Sequence, residues 1–465
     1  MLTLIALAAM ANQDSGPPSV APLPAPRQLA WHAMETYAFV HFGPNTFTGE
    51  EWGHGTEDPK VFNPKRLDCR QWVRALKAGG MKGVIITAKH HDGFCLWPSK
   101  LSTHTVARSP WRNGRGDVLR ELSEACKAEG LKFGVYLSPW DRNHPSYGTP
   151  EYNRVFADML REVLTGYGPV FEVWFDGANG EGPNGKRQVY DWELFVRTVR
   201  ELQPNAVIFS DAGPDVRWVG NEAGIASETN WNALQRERFV PGTPHYKELG
   251  EGHENGGHWV PAECDVSIRP GWFWRASENA KVKTPSQLLD LYYQSVGRGS
   301  TLLLNVPPNS DGLIADEDAK SLREFHTAVG REFARPVRPA RAEGESYGPG
   351  YEASRAVDGK AATAWAAPNG SASGRVAFRF ERASKIDRVL LAEPIERGQR
   401  IRKFSVEVRD GTDWRTIAQG TTVGRKRLLR ITPVVTEEVR VSIQEARACP
   451  MLSEVAFFDA GGNGK

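Results

Sequence analysis

The segment "GPVFEVWFDGANG" (168–180) ends an apolar run in two aromatics, Trp174 and Phe175, and then places a carboxylate, Asp176. An acid flanked by rings sits in a partly dry surround, where its charge faces a developing cation with little screening. Glycoside hydrolysis needs such a group as one of two carboxyls: one attacks the anomeric carbon, and the other protonates the leaving oxygen and later activates water. Other polar residues close similar runs, namely His41, the adjacent pair His90 and His91, Tyr136, Asp211 and Glu228. Three imidazoles would also suit a metal-dependent hydrolase. Against a metal, adjacent residues of a strand point to opposite faces, so His90 and His91 can share an ion only where the strand has already ended. No His-x-His follows the first run, and the eighth closes on Asn305 rather than on an acid.

The runs that carry these residues are short and rich in β-branched and aromatic side chains: 37–43, 83–90, 132–140, 171–177, 206–211, 224–230, 264–270 and 300–308. Between several of them the apolar period is that of a helix. In "GDVLRELSEACKAEG" the residues Val118, Leu119, Leu122, Ala125 and Cys126 share one face, and Gly130 supplies a left-handed stop. "DCRQWVRALKAGG", "DWELFVRTVRELQP" and "TPSQLLDLYYQSVG" repeat the pattern, the last with Pro285 in its first turn. Strands that alternate with helices and are apolar on both faces form a parallel sheet, and eight of them predict a (β/α)8 TIM-like barrel. Strand C-termini converge on one mouth in that fold. A single strand-end acid could simply cap a helix, but seven polar residues at one rim point to a site.

After a helix with Leu322, Phe325, Val329 and Phe333 on one side, residues 334–350 are rich in Pro, Gly and charge and read as a linker. From 351 the period changes to two, through "RVAFRFE", "KFSVEVRD", "EVRVSIQ" and "LSEVAFFD", which predicts an all-β sandwich. The expected plan is a signal peptide and flexible leader (1–27), a catalytic barrel (28–333), the linker (334–350) and the sandwich (351–465).

At 465 residues, 40% apolar and 25% charged, the chain can bury a large core in two domains. Its 58 basic and 56 acidic residues leave a net charge of +2, so no global field points to nucleic acid or an acidic surface. Small neutral partners fit better, and 15 Trp suit stacking on sugar rings, although a large core would absorb them too. Cys69, Cys95, Cys126, Cys264 and Cys449 are scattered without metal-type spacing and read as buried free thiols. "MLTLIALAAMA" followed by a polar, Pro-rich stretch has the shape of a secretory signal without its basic start, which makes periplasmic or secreted the expected location. No later run reaches the roughly 18 apolar residues of a membrane span. The oligomeric state is left open.

"YAFVHFGPNTFTGEEWG", "TAKHHDGFCLWPS", "VYLSPWD", "EVWFDGANG", "RWVGNEAG" and "PAECDVSIRPGWFW" together resemble the α-L-fucosidases of glycoside hydrolase family 29, over roughly residues 30 to 335. The resemblance implies a retaining exo-hydrolase acting on terminal fucose of oligosaccharides or glycoconjugates, with no metal or other cofactor. It assigns Asp176 of "WFDG" as nucleophile and His41, Glu51, Trp52, His90, His91, Tyr136 and Trp174 to the fucose pocket. Trp272, eight residues after Cys264, matches the aromatic that approaches the sugar. The acid/base differs between branches of the family. In the α-1,3/1,4-specific branch it lies in a Trp-x-Gly-Asn-Glu element, matched here by Glu222, 46 residues beyond Asp176. In the broad-specificity branch it matches a Trp-Glu ahead of a Cys, where this chain offers Glu263 after Ala262. A fucose-binding lectin on the same barrel would keep the rings and lose a carboxylate. "AVDGKAATAW" (356–365) and "SEVAFFD" resemble discoidin-like, galactose-binding-like modules, which grip glycans or only pack against a barrel. His54, His104, His144, His245, His253, His258 and His326 lie outside these matches, and 140–148 and 245–260 read as long rim loops.

Overall fold

A computed structural model describes residues 16–242 and 245–461; the signal-like residues 1–15 lie outside it. Eight parallel strands close into a barrel: β1 Thr36–Val40, β2 Gly83–Lys89, β3 Lys132–Leu137, β4 Glu172–Trp174, β5 Val207–Ser210, β6 Val216–Trp218, β7 Ala262–Ser267 and β8 Thr301–Asn305. Each strand pairs with its neighbours in sequence, and β8 returns to β1 through Thr36↔Leu302 and Phe39↔Asn305. Side chains alternate across each strand. One set, including Tyr37, Phe39, Ile85, Tyr136, Trp174, Val207, Phe209, Val216 and Leu303, fills the lumen. Trp31, on the helix α1 Pro26–His32 before β1, joins that cluster from the strand N-terminal end. The other set packs outward on the helices in the larger core, as with Val84, Ile86, Leu302 and Leu304.

The amphipathic segments read in the sequence fold as helices, α2 Cys69–Ala78, α3 Val118–Glu129, α5 Trp192–Leu202, α6 Pro285–Gln294 and α7 Asp316–Glu332, and a further helix, α4 Pro150–Gly166, lies between β3 and β4. Four of these starts, at Asp68, Asp117, Asp191 and Thr284, carry side-chain caps that satisfy otherwise orphaned N–H groups. Asp68 accepts from Arg70 N and Gln71 N, and Thr284 pairs reciprocally with Gln287. Gly130 ends α3 at φ 81°, as a left-handed stop requires.

One strand is not where the periodicity puts it. Between β5 and β6 there is no helix, and the sixth strand is Val216–Trp218, not 224–230. A search for strand, helix, strand passes over so short a connection. Residues 224–230 are loop instead, and Glu228 leaves the rim entirely. Its carboxylate pairs with Arg298 and Arg427, and its carbonyl accepts from Arg427 Nη1 at 3.0 Å.

Arg427 belongs to the second domain, an all-β unit whose long strands Gly374–Ala392 and Arg427–Ala446 run antiparallel through a six-stranded sheet. Residues 341–343, inside the stretch read as linker, pair with Ala377–Arg379 as an edge strand. The second domain docks on the barrel by a polar and an apolar contact. Gln399 accepts from Asn232 N at 2.8 Å and donates to Asn230 O at 2.9 Å, while Leu428 inserts into the barrel's outer core. The described part of the expected leader is pinned as well. Arg400 donates to Pro18 O at 2.7 Å, Val20 N to Arg397 O at 2.9 Å, and Arg27 grips Asp215 through Nε and Nη2. All five cysteines are free and buried. Among the described residues no helix is long and apolar enough to cross a membrane.

Because Leu428 carries the second domain's apolar anchor, Leu428→Ala should lower the unfolding free energy by about 2–3 kcal/mol. Urea denaturation followed by far-UV circular dichroism checks this; an unchanged midpoint would mean that the domains do not stabilise one another there.

Candidate active site

At the C-terminal end of the barrel a cleft of about 610 Å³, counted to its open mouth, is lined by Phe39, His41, Glu51, Trp52, His90, His91, Tyr136, Trp174, Asp176, Ala178, Glu222, Asp265 and Trp272. Strand ends supply most of these side chains, as the barrel geometry dictates. Asp176 stands two residues beyond β4. Its Oδ1 accepts from Ala178 N at 2.8 Å and its Oδ2 from Tyr136 OH at 3.0 Å. His91 Nε2 lies 3.7 Å from the same Oδ2. The carboxylate side chain remains 26% exposed, so it is oriented by donors yet open to the cleft.

The three histidines face the cleft from just beyond β1 and β2. Since β2 ends at Lys89, His90 and His91 both escape strand alternation, and their ring centroids are 4.1 Å apart. His41 Nδ1 meets Asn305 Oδ1 at 2.9 Å, so Nδ1 carries the hydrogen and Nε2 keeps its lone pair. Asn305 is fixed in turn by donating to Ser267 Oγ at 2.9 Å and to Trp272 O at 2.8 Å. Burial pushes His41 down to about 3 and His91 to about 4, and holds His90 well below its ordinary value. All three are therefore neutral rings that can exchange hydrogen bonds with hydroxyls. Among the described residues no group of three or more His, Cys, Asp or Glu side chains is arranged to hold a metal ion.

Aromatic walls complete the cleft. Trp174 stacks on Phe209 with centroids 3.9 Å apart and planes 9° off parallel, and on Tyr136 at 5.4 Å. Trp272 lies against His41 at 5.0 Å, and Trp52, 53% exposed, stands edge-on to His91 at the rim. Glu51 accepts from Trp272 N and pairs with Arg275 at 2.6 Å, so it props the Trp272 loop rather than standing free.

Glu222 sits on the exposed loop after β6, but its carboxyl turns inward and accepts from Trp272 Nε1 at 3.2 Å. Desolvation raises its affinity for a proton; the Trp272 bond opposes this, and the charges of Asp176 and Glu51 add to it. Glu263, the other candidate acid, does not reach the mouth. It is fully buried in the lumen, near the start of β7, bonded to Tyr37 OH and, at 2.8 Å, to Trp174 Nε1. The physical reason is parity: Glu263, Asp265 and Ser267 share the inward face of β7, so Asp265 comes two residues nearer the mouth.

Phe39, Ala178 and Asp265 escaped the sequence reading. Asp265 is nearly buried, accepts from Trp218 Nε1 at 2.8 Å, and is pushed well above the usual carboxylate range by burial and then by Glu222. Its alternation with Glu263 in "AECDVS" was the available signal, lost when the strand was started at Cys264. A second chamber opens past Asp176 and Glu222, between Asn179, Arg187, Asp211, Trp218 and Tyr246. Asp211 belongs there, accepting from Gly242 N at 2.7 Å and raised to about 6 by burial.

Residues 25–329 match the protein family described as Alpha-L-fucosidase, and residues 340–455 match the F5/8 type C domain. Alpha-L-fucosidase 1 of Arabidopsis thaliana is 43% identical over 475 residues, spanning 98% of this chain and 92% of that protein. The crystal structure of SpGH29 has a TM-score of 0.91 and 37% identity, covering 95% of this chain and 99% of that one. A Ruminococcus gnavus GH29 fucosidase, E1_10125, in complex with fucose has a TM-score of 0.88 at 32% identity, covering 96% of both chains.

Since burial holds the histidines neutral, ring-¹⁵N-labelled protein should show no protonation step at His41 or His91 between pH 8 and pH 5 by NMR. A step near pH 6.5 at either ring would contradict this placement.

Proposed function

The chain belongs to the alpha-L-fucosidase family, glycoside hydrolase family 29, and is an α-L-fucosidase; from that premise we propose that it is a retaining exo-enzyme with Asp176 as nucleophile and Glu222 as acid/base. The observation that carries this reading is that one cleft receives both carboxyls, with Asp176 held by two donors and Glu222 raised toward its acid form.

The sequence of steps follows from these groups. With fucose seated against Trp174 and Trp272, and its hydroxyls facing His41, His90 and His91, Asp176 attacks the anomeric carbon while Glu222 gives its proton to the glycosidic oxygen. The aglycone then leaves through the second chamber. Ester formation removes the negative charge of Asp176, and with it one of the forces that raise Glu222. Glu222, having given up its proton, is thereby held as the free carboxylate that accepts a proton from the attacking water. Water attacks the ester, fucose departs with retained configuration, and Asp176 regains its charge.

Glu222 lies in the element matched by the α-1,3/1,4-specific branch, which favours Lewis-type fucosyl linkages as substrates. The open second chamber, with Trp218 and the exposed ring of Tyr246, suits an extended saccharide leaving group. The signal-like start favours export to periplasm or medium.

Asp176→Asn should cut turnover of an aryl α-L-fucoside about a thousandfold or more while sparing fold and fucose affinity; retention of a tenth of the wild-type rate would remove Asp176 as nucleophile. Glu222→Ala should lose activity on a Lewis-type trisaccharide and regain turnover of an activated aryl fucoside with added azide, giving an azido-sugar of retained configuration. Azide rescue of Glu263→Ala alone would move the acid/base role there. Fucose release by the wild type from the aryl fucoside but not from the trisaccharide would reject the linkage assignment.

A further inference from the structure

Directly beneath the pocket floor, the lumen holds two carboxyls that the reaction does not use. Glu172 is two residues before Trp174 on β4, Glu263 is two before Asp265 on β7, and both are fully buried. They meet through their donors: Trp31, which donates to Glu172, packs edge-on against Tyr37, which donates to Glu263, and the Glu263 charge bears on Glu172. Two adjacent carboxyls in a dry interior cannot both be ionised, so the pair holds a proton. The surrounding donors decide where. Glu263 accepts from Tyr37 OH on one oxygen and from Trp174 Nε1 on the other, at 2.8 Å. Glu172 accepts from Trp31 Nε1 at 3.0 Å on Oε2 only, and no donor reaches its Oε1. The oxygen without a donor is the one that carries the hydrogen, which makes Glu172 the acid and Glu263 the anion. The same ordering holds for their affinities: burial and the Glu263 charge push Glu172 well up, while Tyr37, Trp174 and Glu172 restrain the rise of Glu263 to about 7.

We propose that Glu172 and Glu263 are a one-proton carboxyl pair that positions Trp174, the ring forming the floor of the sugar pocket, by fixing its indole N–H from below. Stacking on Phe209 and Tyr136 confines the plane of the indole but leaves it free to slide or flip within the slot. The charge-assisted bond to Glu263 selects one orientation. Both glutamates are positioning residues, acting on the sugar only through Trp174, and the inference rests on the pocket being the fucose site.

The test compares KM and kcat for an aryl α-L-fucoside, the Kd for L-fucose, and Tm. Glu172→Gln keeps a donor toward Glu263 and an acceptor for Trp31, and its KM should stay within about threefold of wild type. Glu263→Gln offers a single acceptor oxygen to two donors, and should raise KM and the fucose Kd together about tenfold, with a smaller change in kcat. A Glu263→Gln protein with lowered Tm but KM and Kd within twofold of wild type would show a purely structural pair and overturn the proposal. So would Glu172→Gln as damaging as Glu263→Gln. Should Glu263→Gln not fold, Trp174→Phe removes the same donor while filling most of the slot, and wild-type fucose affinity in that variant also overturns it. Where both fold, Glu263→Gln should add little on the Trp174→Phe background; additive losses count against the pair. A wild-type protein that releases no fucose would strike the functional reading instead.

Discussion

Tyr136, whose hydroxyl bonds Asp176, is stacked on Trp174, two residues before the acid, and Trp174 stacks in turn on Phe209. The stack confines the plane of the last inward-facing ring of β4, the Glu263 bond orients it, and the chain then leaves the strand with Asp176 held by Tyr136 OH on one oxygen and by Ala178 N on the other. Every other contact at the cleft is arranged around that fixed point. His91 approaches the oxygen that Tyr136 holds, and Glu222 lines the same cleft from the loop after β6. The lumen is thus more than filler: its aromatic layer transmits the barrel's rigidity to a side chain on a loop.

Low dielectric does the remaining electrostatic work. Burial keeps the histidines at the mouth uncharged, so they form no full ion pair with Asp176. The same burial raises Asp265 and Glu172, while the charge left on Glu263 is met by the donors Tyr37 and Trp174. Glu51 is balanced by Arg275.

The all-β domain contributes from a distance. Its Arg427 holds Glu228, and its Gln399 and Thr422 hold Asn230 and Asn232, all on the chain that follows the Glu222 loop. A segment without strand or helix of its own gains order from this outside support. The docking also explains why Glu228, an acid at the end of an apparent strand, has no place at the mouth.

The order of strands and helices, the position of Asp176 after a buried run and the cluster of rings and imidazoles at strand ends were legible in the sequence, because apolar period and residue type are local properties. The same locality revealed the change to period two in the second domain. Glu222 and Glu263 could not be separated that way. Each follows an apolar stretch at plausible spacing, and only the start of β7 and its neighbours across the lumen put one at the cleft and the other beneath its floor. The sixth strand and the role of Glu228 were likewise settled by packing. Whether a carboxyl is an exposed acid or a buried prop depends on contacts with residues far away in the chain, and neither period nor composition records those.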